Sequence, residues 1–281
     1  MLSRERILTI VIATYNAAEF LPSTLASIEM QAPIALERCE VIIVDGASTD
    51  NTVDLARRSP IVTTVVSEPD SGIYDAMNKG AKIACGDWLH FLNAGDVFAT
   101  RDSLAQLLLQ IEAWTSANRI WGIGRALNLS SGTGRSVLIP NFPHRWLPHM
   151  LGIQPHCHQA SWFDRTVFLA FGGHATDLGI VGDFDLILRF GMLARPGQAD
   201  SVLIGYLGGG ISERSRSELP RLLHDVRVRR FSLSGAGNAI DRGLSVAVSI
   251  ANHGRISLGS TKALWKRSLS RRRGISEAGY R

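Results

Sequence analysis

The sequence predicts an α/β chain with a mainly parallel central sheet and a basic, mostly helical C-terminal region. Three observations predict it. Short β-branched apolar runs alternate with amphipathic stretches from Ile7 to Leu92, the pattern of βαβ units. Acidic residues (Asp45, Asp70, Asp75 and Asp96) fall at strand ends or a helix start. Beyond Glu213 the alternation gives way to clustered Arg and Lys.

Ile7 to Ala13 is a buried parallel-type strand, ended by Thr14-Tyr15-Asn16. Phe20, Leu21, Thr24, Leu25 and Ile28 recur at helical spacing. Glu40 to Val44 is the second strand, and Ser48-Thr49-Asp50 can cap a helix carrying Val53, Leu55 and Ala56. Ile61 to Val66 is the third strand. A turn, Ser67 to Gly72, offers Asp70 or Ser71 as the cap of a helix from Ile73 to Ala84, broken by Gly86. Trp88 to Leu92 is the fourth strand. Past Asp96 the pattern loosens. Leu104 to Trp114 reads as a helix, and Trp121 to Leu129 with Ser136 to Ile139 as a hairpin turning over Ser130 to Gly134. Asn141 to Gln159, rich in Pro and His, reads as a functional loop. Then come a strand (Ala160 to Phe163), two helices (Thr166 to Phe171 and Asp183 to Leu193) and a strand (Ser201 to Leu207). Gly208-Gly209-Gly210 reads as a flexible joint before a helical, basic remainder.

With 45% apolar residues, six Trp and ten Phe in 281 residues, the chain can bury a sizeable core, which argues against disorder. No run approaches the roughly 18–20 apolar residues of a membrane span. The N-terminal apolar run reads as a strand and not a signal peptide. Three widely spaced cysteines, Cys39, Cys85 and Cys157, fit a reduced compartment. A soluble, cytoplasmic protein is therefore expected. The net charge of +5 is uneven, gathered at Arg221, Arg227, Arg229, Arg230, Lys262, Lys266, Arg267, Arg271, Arg272 and Arg273. Such a region either is a solvated terminus or meets an anionic partner.

In open α/β sheets, ligands bind at the carboxyl ends of the strands. Carboxylates gathered there without a Gly-rich phosphate loop suit a ribose, a base edge or a divalent cation. Asp45 follows four apolar residues and precedes Gly46, so it sits at a strand tip, as a ligand contact or as a helix cap. Asn93-Ala94-Gly95-Asp96 also follows a strand, and its amide and carboxylate can share a hard cation or form a plain Asn/Gly turn. Asp75 and Lys79 are i,i+4 partners, with Asn78 on the neighbouring face. Free N–H groups at the helix start by Asp70-Ser71-Gly72 suit polar groups of a nucleotide. His156-Cys157-His158-Gln159 is too compact to close a zinc tetrahedron. Trp146, Phe142 and His144 either stack on a sugar face or form the loop's own small core.

Taken in order and spacing, these pieces resemble the family 2 inverting glycosyltransferases. They are Ala13 to Asn16, Val44 to Asp50, Asp70 to Gly80 and Phe91 to Asp96, with a thinner match through His158-Gln159 and Gly182 to Arg189. The nearest resemblance is to the bacterial branch that builds exopolysaccharide, O-antigen or glycolipid sugars, colanic-acid-type transferases among them. The resemblance implies a GT-A fold: residues 1–100 a nucleotide-sugar-binding half, 101–215 the acceptor-binding half of the same domain, and 216–281 a basic helical extension. It implies that Thr14, Asn16, Asp45, Asp70, Asn78, Lys79 and Asn93 line the donor. Asp96 would hold Mg2+ or Mn2+, since the family's Asp-x-Asp positions read Asn93 and Gly95 here. Asp183 matches the catalytic base, with Asp185 as the fallback; without the resemblance, Asp183 equally reads as a helix N-cap. His158 and Trp146 would meet phosphate or acceptor. The implied partners are a nucleoside-diphosphate sugar, a glycan or polyprenyl-linked acceptor and, through the basic C-terminus, the anionic inner face of the plasma membrane. The Asn93/Gly95 departure motivates an alternative, a non-catalytic nucleotide-sugar-binding or scaffold protein of the same fold. Nucleic acid is not an expected partner, because no helix-turn-helix, RNA-recognition signature or zinc module is present. A nicotinamide dehydrogenase is disfavoured because no Gly-x-Gly-x-x-Gly follows the first strand.

Overall fold

A computed structural model describes residues 6–129, 137–139, 143–154, 156–206 and 218–249. The Ser130 to Gly134 turn, Phe142, the Gly208 to Gly210 joint and the basic cluster from Lys262 to Arg273 lie outside the described residues.

The first half alternates strand and helix as the apolar runs dictate: β1 (Leu8–Thr14), α1 (Leu21–Glu29), α2 (Pro33–Leu36), β2 (Cys39–Asp45), α3 (Thr52–Arg58), β3 (Thr64–Ser67), α4 (Ile73–Ile83) and β4 (Trp88–Asn93). Then follow β5 (Val97–Phe98), α5 (Ser103–Ser116), β6 (Trp121–Asn128), β7 (Val137–Ile139), α6 (Trp146–Met150), β8 (Ser161–Asp164), α7 (Arg165–Ala170), α8 (Gly182–Leu193), β9 (Gly197–Tyr206) and α9 (Leu219–Phe231). A further helix, α10, runs over 235–249.

The strands form one sheet in the order β3-β2-β1-β4-β8-β6-β9-β5, with β7 on β6. It is parallel across β3, β2, β1 and β4. Beyond β4 it is mixed, since β8 is antiparallel to both β4 and β6 while β9 runs parallel to β6. Alternation along β1 splits the core. Leu8, Ile10 and Ile12 face α1 and α5, whereas Val11 and Ala13 join Ala76, Met77 and Ala81 of α4 and Leu186, Ile187 and Phe190 of α8. Polar ends of β1, β2 and β4 therefore emerge at one rim while their bodies stay fixed between two helical layers.

Two local readings change. The Asn141 to Gln159 stretch contains α6, because Trp146 and Met150 pack with Phe184 and Leu188 of α8 and Val226 of α9. The Ser48-Thr49-Asp50 cap does not form: Asn51 is the N-cap of α3 and makes no side-chain cap bond. Asp50 instead accepts from the Thr52 and Ala18 amides.

Candidate active site

The rim of the parallel half sets the candidate residues in a row. Ser67 pairs with Asp45, Asp45 with Thr14, and Asn93 with Ala13. Asp45 is fully buried. Its carboxylate accepts from Thr14 Oγ1 (3.0 Å), Ser48 N (2.8 Å), Ser67 Oγ (2.8 Å) and Ser48 Oγ. Donors thus engage both oxygens, and bonds of this charged kind contribute about 1.5–3 kcal/mol each. Asp45 fastens the loop after β2, and a ligand reaches it only by displacing a hydroxyl such as that of exposed Ser67.

Asn16 holds the same loop from the other side. It adopts φ +46, the left-handed region that Asn tolerates. Its Oδ1 accepts from Thr49 N (2.9 Å) and its own N–H donates to Ser48 Oγ (2.7 Å). Tyr15 between them is 67% exposed, leaving an aromatic ring free at this rim. Gly46 meets the next loop closely: a Cβ there would stand 2.6 Å from Asp70 Oδ2. Asp70 Oδ1 accepts from Gly72 N (2.8 Å), and Gly72, at φ +123, starts α4.

At the end of β4, Asp96 N donates to Asn93 O (3.1 Å), and Gly95 (φ +104) donates its N–H to Thr24 Oγ1 (2.7 Å). Asn93 Oδ1 is buried and has no hydrogen-bond partner among the described residues. Such an oxygen costs free energy unless a ligand, water or ion meets it. With the 4% exposed Asp96 carboxylate nearby in the same turn, it offers hard oxygen donors of the kind Mg2+ and Mn2+ take. Among the described residues no group of three or more His, Cys, Asp or Glu forms a metal cluster, so a cation here would also need oxygens from a ligand.

Asp183 lies in the first turn of α8; the N-cap is Val181. Its Oδ1 accepts from Phe184 N (2.7 Å). Burial pushes its carboxyl from 3.8 up to about 6, opposed by the Phe184 N–H and by the Tyr74 hydroxyl. A carboxylate there is ionised at neutral pH yet basic enough to take a proton from a hydroxyl. Asp96 and Asp183 also both act on Cys157, adding to the burial that lifts its thiol to about 12. The β4 turn and the start of α8 are thus within electrostatic range of one sulfur.

Other residues singled out in the sequence are occupied elsewhere. Asn78 spends its amide on the backbone of His174, Nδ2 donating to the carbonyl (2.9 Å) and Oδ1 accepting from the N–H (2.8 Å). Lys79 donates to Pro69 O (2.9 Å) and pairs with Glu68 (3.0 Å) and Asp75 (3.6 Å), bracing the loop before α4. His158 is 4% exposed and bonded through Nε2 to His174 Nε2 (2.9 Å), so it sits inside the aromatic layer. Trp146 packs edge-on to Phe231 (6.1 Å) in the α6/α8/α9 cluster, the small-core alternative. Asp185 cannot be a fallback base: it is fully buried and bonded to Arg189 Nε (2.9 Å) and to Arg230 through Nε and Nη2 (2.7 Å for the latter).

Sequence reasoning passed over Tyr74 and His174. Their rings stack at 5.0 Å, and Tyr74 reaches Asp183. A signal was present, since Tyr74 and Asn78 are i,i+4 on one face of α4 and both project toward the segment before α8. The cluster of His144, His149 and His156, with His144 Nδ1 and His156 Nε2 2.8 Å apart, was also not foreseen as a unit.

The family model described as "Glycosyl transferase family 2" matches residues 9–168. A Mycobacterium tuberculosis protein named as an uncharacterized glycosyltransferase is 31% identical over 222 residues, covering 78% of this chain and 81% of that one. A PGL/p-HBAD biosynthesis glycosyltransferase of Mycobacterium bovis is 31% identical over 193 residues, covering 64% and 68%. Among solved structures, S. aureus TarS residues 1–349 superposes with a TM-score of 0.61 at 16% identity, covering 87% of this chain and 72% of that chain. A mannosyltransferase from Pyrobaculum calidifontis, PcManGT in complex with GDP-Man and Mn2+, superposes with a TM-score of 0.61 at 18% identity, covering 95% and 83%. The structural likenesses give the fold, which is GT-A.

Proposed function

This chain belongs to glycosyl transferase family 2, and from that premise we propose that it moves a sugar, with inversion, from a nucleoside-diphosphate sugar to a glycan or lipid-linked acceptor, using Asp183 as base. The observation that carries the assignment is Asp183 itself, a carboxyl lifted to about 6 in the first turn of α8. That property also favours catalysis over a scaffold role.

Ionised Asp183 takes the proton of an acceptor hydroxyl. The hydroxyl oxygen forms a bond to the anomeric carbon while that carbon's bond to the diphosphate oxygen breaks. The nucleoside diphosphate departs with the electron pair. Attack from the face opposite the leaving group inverts the configuration through an oxocarbenium-like transition state. Asn93 and Asp96 would hold Mg2+ or Mn2+, which neutralises charge on a leaving diphosphate when bound. Thr14, Asn16, Asp45 and Asp70 shape the donor rim, Asp45 by fixing the loops and not by an open carboxylate. Asn78 and Lys79 act behind them.

The TarS complex with UDP-GlcNAc and the PcManGT complex with GDP-Man and Mn2+ support a nucleotide-sugar donor and a divalent cation. The PGL/p-HBAD relative supports a glycolipid acceptor within the cell-surface branch. The reading divides the chain into a donor half (1–100), an acceptor half (101–215) and a basic extension (216–281). No helix among the described residues is long and apolar enough to cross a membrane. Contact with an anionic cytoplasmic leaflet would therefore run through the basic extension.

Calorimetry with a panel of UDP-, GDP-, dTDP- and CMP-sugars, with and without Mn2+, tests the donor assignment. One donor binding only with the cation, and losing affinity in Asp96→Ala, is expected. Folded protein that binds none of them overturns it. The anomeric configuration of the product, read by NMR, tests inversion.

A further inference from the structure

Asp183 has one backbone donor, the Phe184 N–H, and burial works against its charge. Something else must keep it ionised and aimed. We propose that Tyr74 is the positioning residue for Asp183, its phenol reaching across from α4 to hold that carboxylate charged and in place. The inference rests on the reading of Asp183 as the base.

The ring is held on each side. Below it lies Gly182, where a Cβ would come within 2.7 Å of Tyr74 Cε2 and 2.8 Å of Cδ2. A side chain at 182 would lift the phenol away. Beside it, His174 stacks at 5.0 Å with planes 22° apart. His174 is fixed in turn by both ends of the Asn78 amide and by His158 Nε2 (2.9 Å). The hydroxyl therefore has little freedom and lies 3.5 Å from Ile180 O, just before the turn that carries Asp183.

The chemistry suits the task. Burial, then the charge of Asp183, pushes the Tyr74 hydroxyl well above its ordinary 10, so it stays a protonated donor. Its action on Asp183 lowers the carboxyl, against burial. The other ionisable groups near Asp183 are Cys157, whose thiol it helps to raise, and His149 on α6, whose ring stacks 4.8 Å from that of Phe184. Burial holds both in their neutral forms at pH 7, with the thiol near 12 and the imidazole near 4. Neither supplies a charge that could replace the phenol.

The test is a 13C-carboxyl NMR titration of the full chain, with the Asp183 signal identified by its loss in Asp183→Asn, alongside the pH profile of sugar transfer. Tyr74→Phe should move the Asp183 titration upward by roughly one pH unit, and the acid limb of turnover with it. Gly182→Ala, which forces a methyl onto the ring, should move both in the same direction and decides the matter if Tyr74→Phe does not fold. An unmoved titration in the folded variant, with turnover reduced evenly at every pH, overturns the proposal and leaves Tyr74 a packing residue. Full turnover in Asp183→Asn would instead remove the base assignment and this inference with it. Loss of turnover in Asp183→Asn with an unmoved titration in Tyr74→Phe would remove only the Tyr74 proposal.

Discussion

Asp183→Asn should make the fold more stable at neutral pH while removing turnover. The structure gives the sign. Its carboxyl titrates at about 6 in the fold against an ordinary 3.8, so between those values the folded state binds more protons than the unfolded one. Stability from this group is full below about 3.8 and is lost as pH rises through 6. Keeping the buried carboxylate charged at pH 7 costs up to about 3 kcal/mol. An amide of the same shape avoids that cost but weakens the bonds from Phe184 N and Tyr74, so the net gain should be about 1–2 kcal/mol. At roughly 2–4 °C per kcal/mol for a domain of this size, the melting temperature should rise by several degrees. Urea unfolding followed by tryptophan fluorescence at pH 4 to 8 measures it. The stability difference between Asn variant and wild type should grow as pH rises from 4 to 7. A difference that is flat with pH, or an Asn variant less stable at pH 7.5, refutes the reasoning.

Three other outcomes are expected. His90, His144, His149, His158 and His156 are held neutral by burial, titrating near 4, 4, 4, 3 and 2. Their stability is therefore present above about 6.5 and lost as pH falls toward 4, so acid melts run in both Asp183→Asn and wild type should show the same steep loss below pH 6. Asp185→Ala leaves the Arg189 and Arg230 guanidiniums without their buried partner and should cost about 3–5 kcal/mol in urea unfolding. Gly46→Ala should weaken donor binding by calorimetry with little change in turnover at saturating donor, since its methyl would press on Asp70 Oδ2 and not on Asp183.

The donor half was legible because periodicity and strand ends are local properties. The Val41 to Val44 run places Asp45 at the rim with no knowledge of the rest of the chain, and β2 ends there. What an end residue does with its oxygens is not local. Asp45 looked like a ligand contact until Thr14, Ser48 and Ser67 arrived from other segments to take its lone pairs. Asp183 and Asp185 looked interchangeable, two residues apart on one helix. The turn of the helix separates them, one meeting Tyr74 and the other two arginines. The Asn141 to Gln159 stretch hid α6 because Pro and His carry no helical periodicity, and the helix exists by packing on α8 and α9.

The most direct measurement is the turnover of Asp183→Asn with the donor identified by calorimetry, at saturating donor and pH 7.5. The account predicts donor affinity close to wild type with turnover lowered at least about 100-fold, the scale of a lost general base. An Asn variant that binds donor and still transfers sugar at the wild-type rate would contradict it.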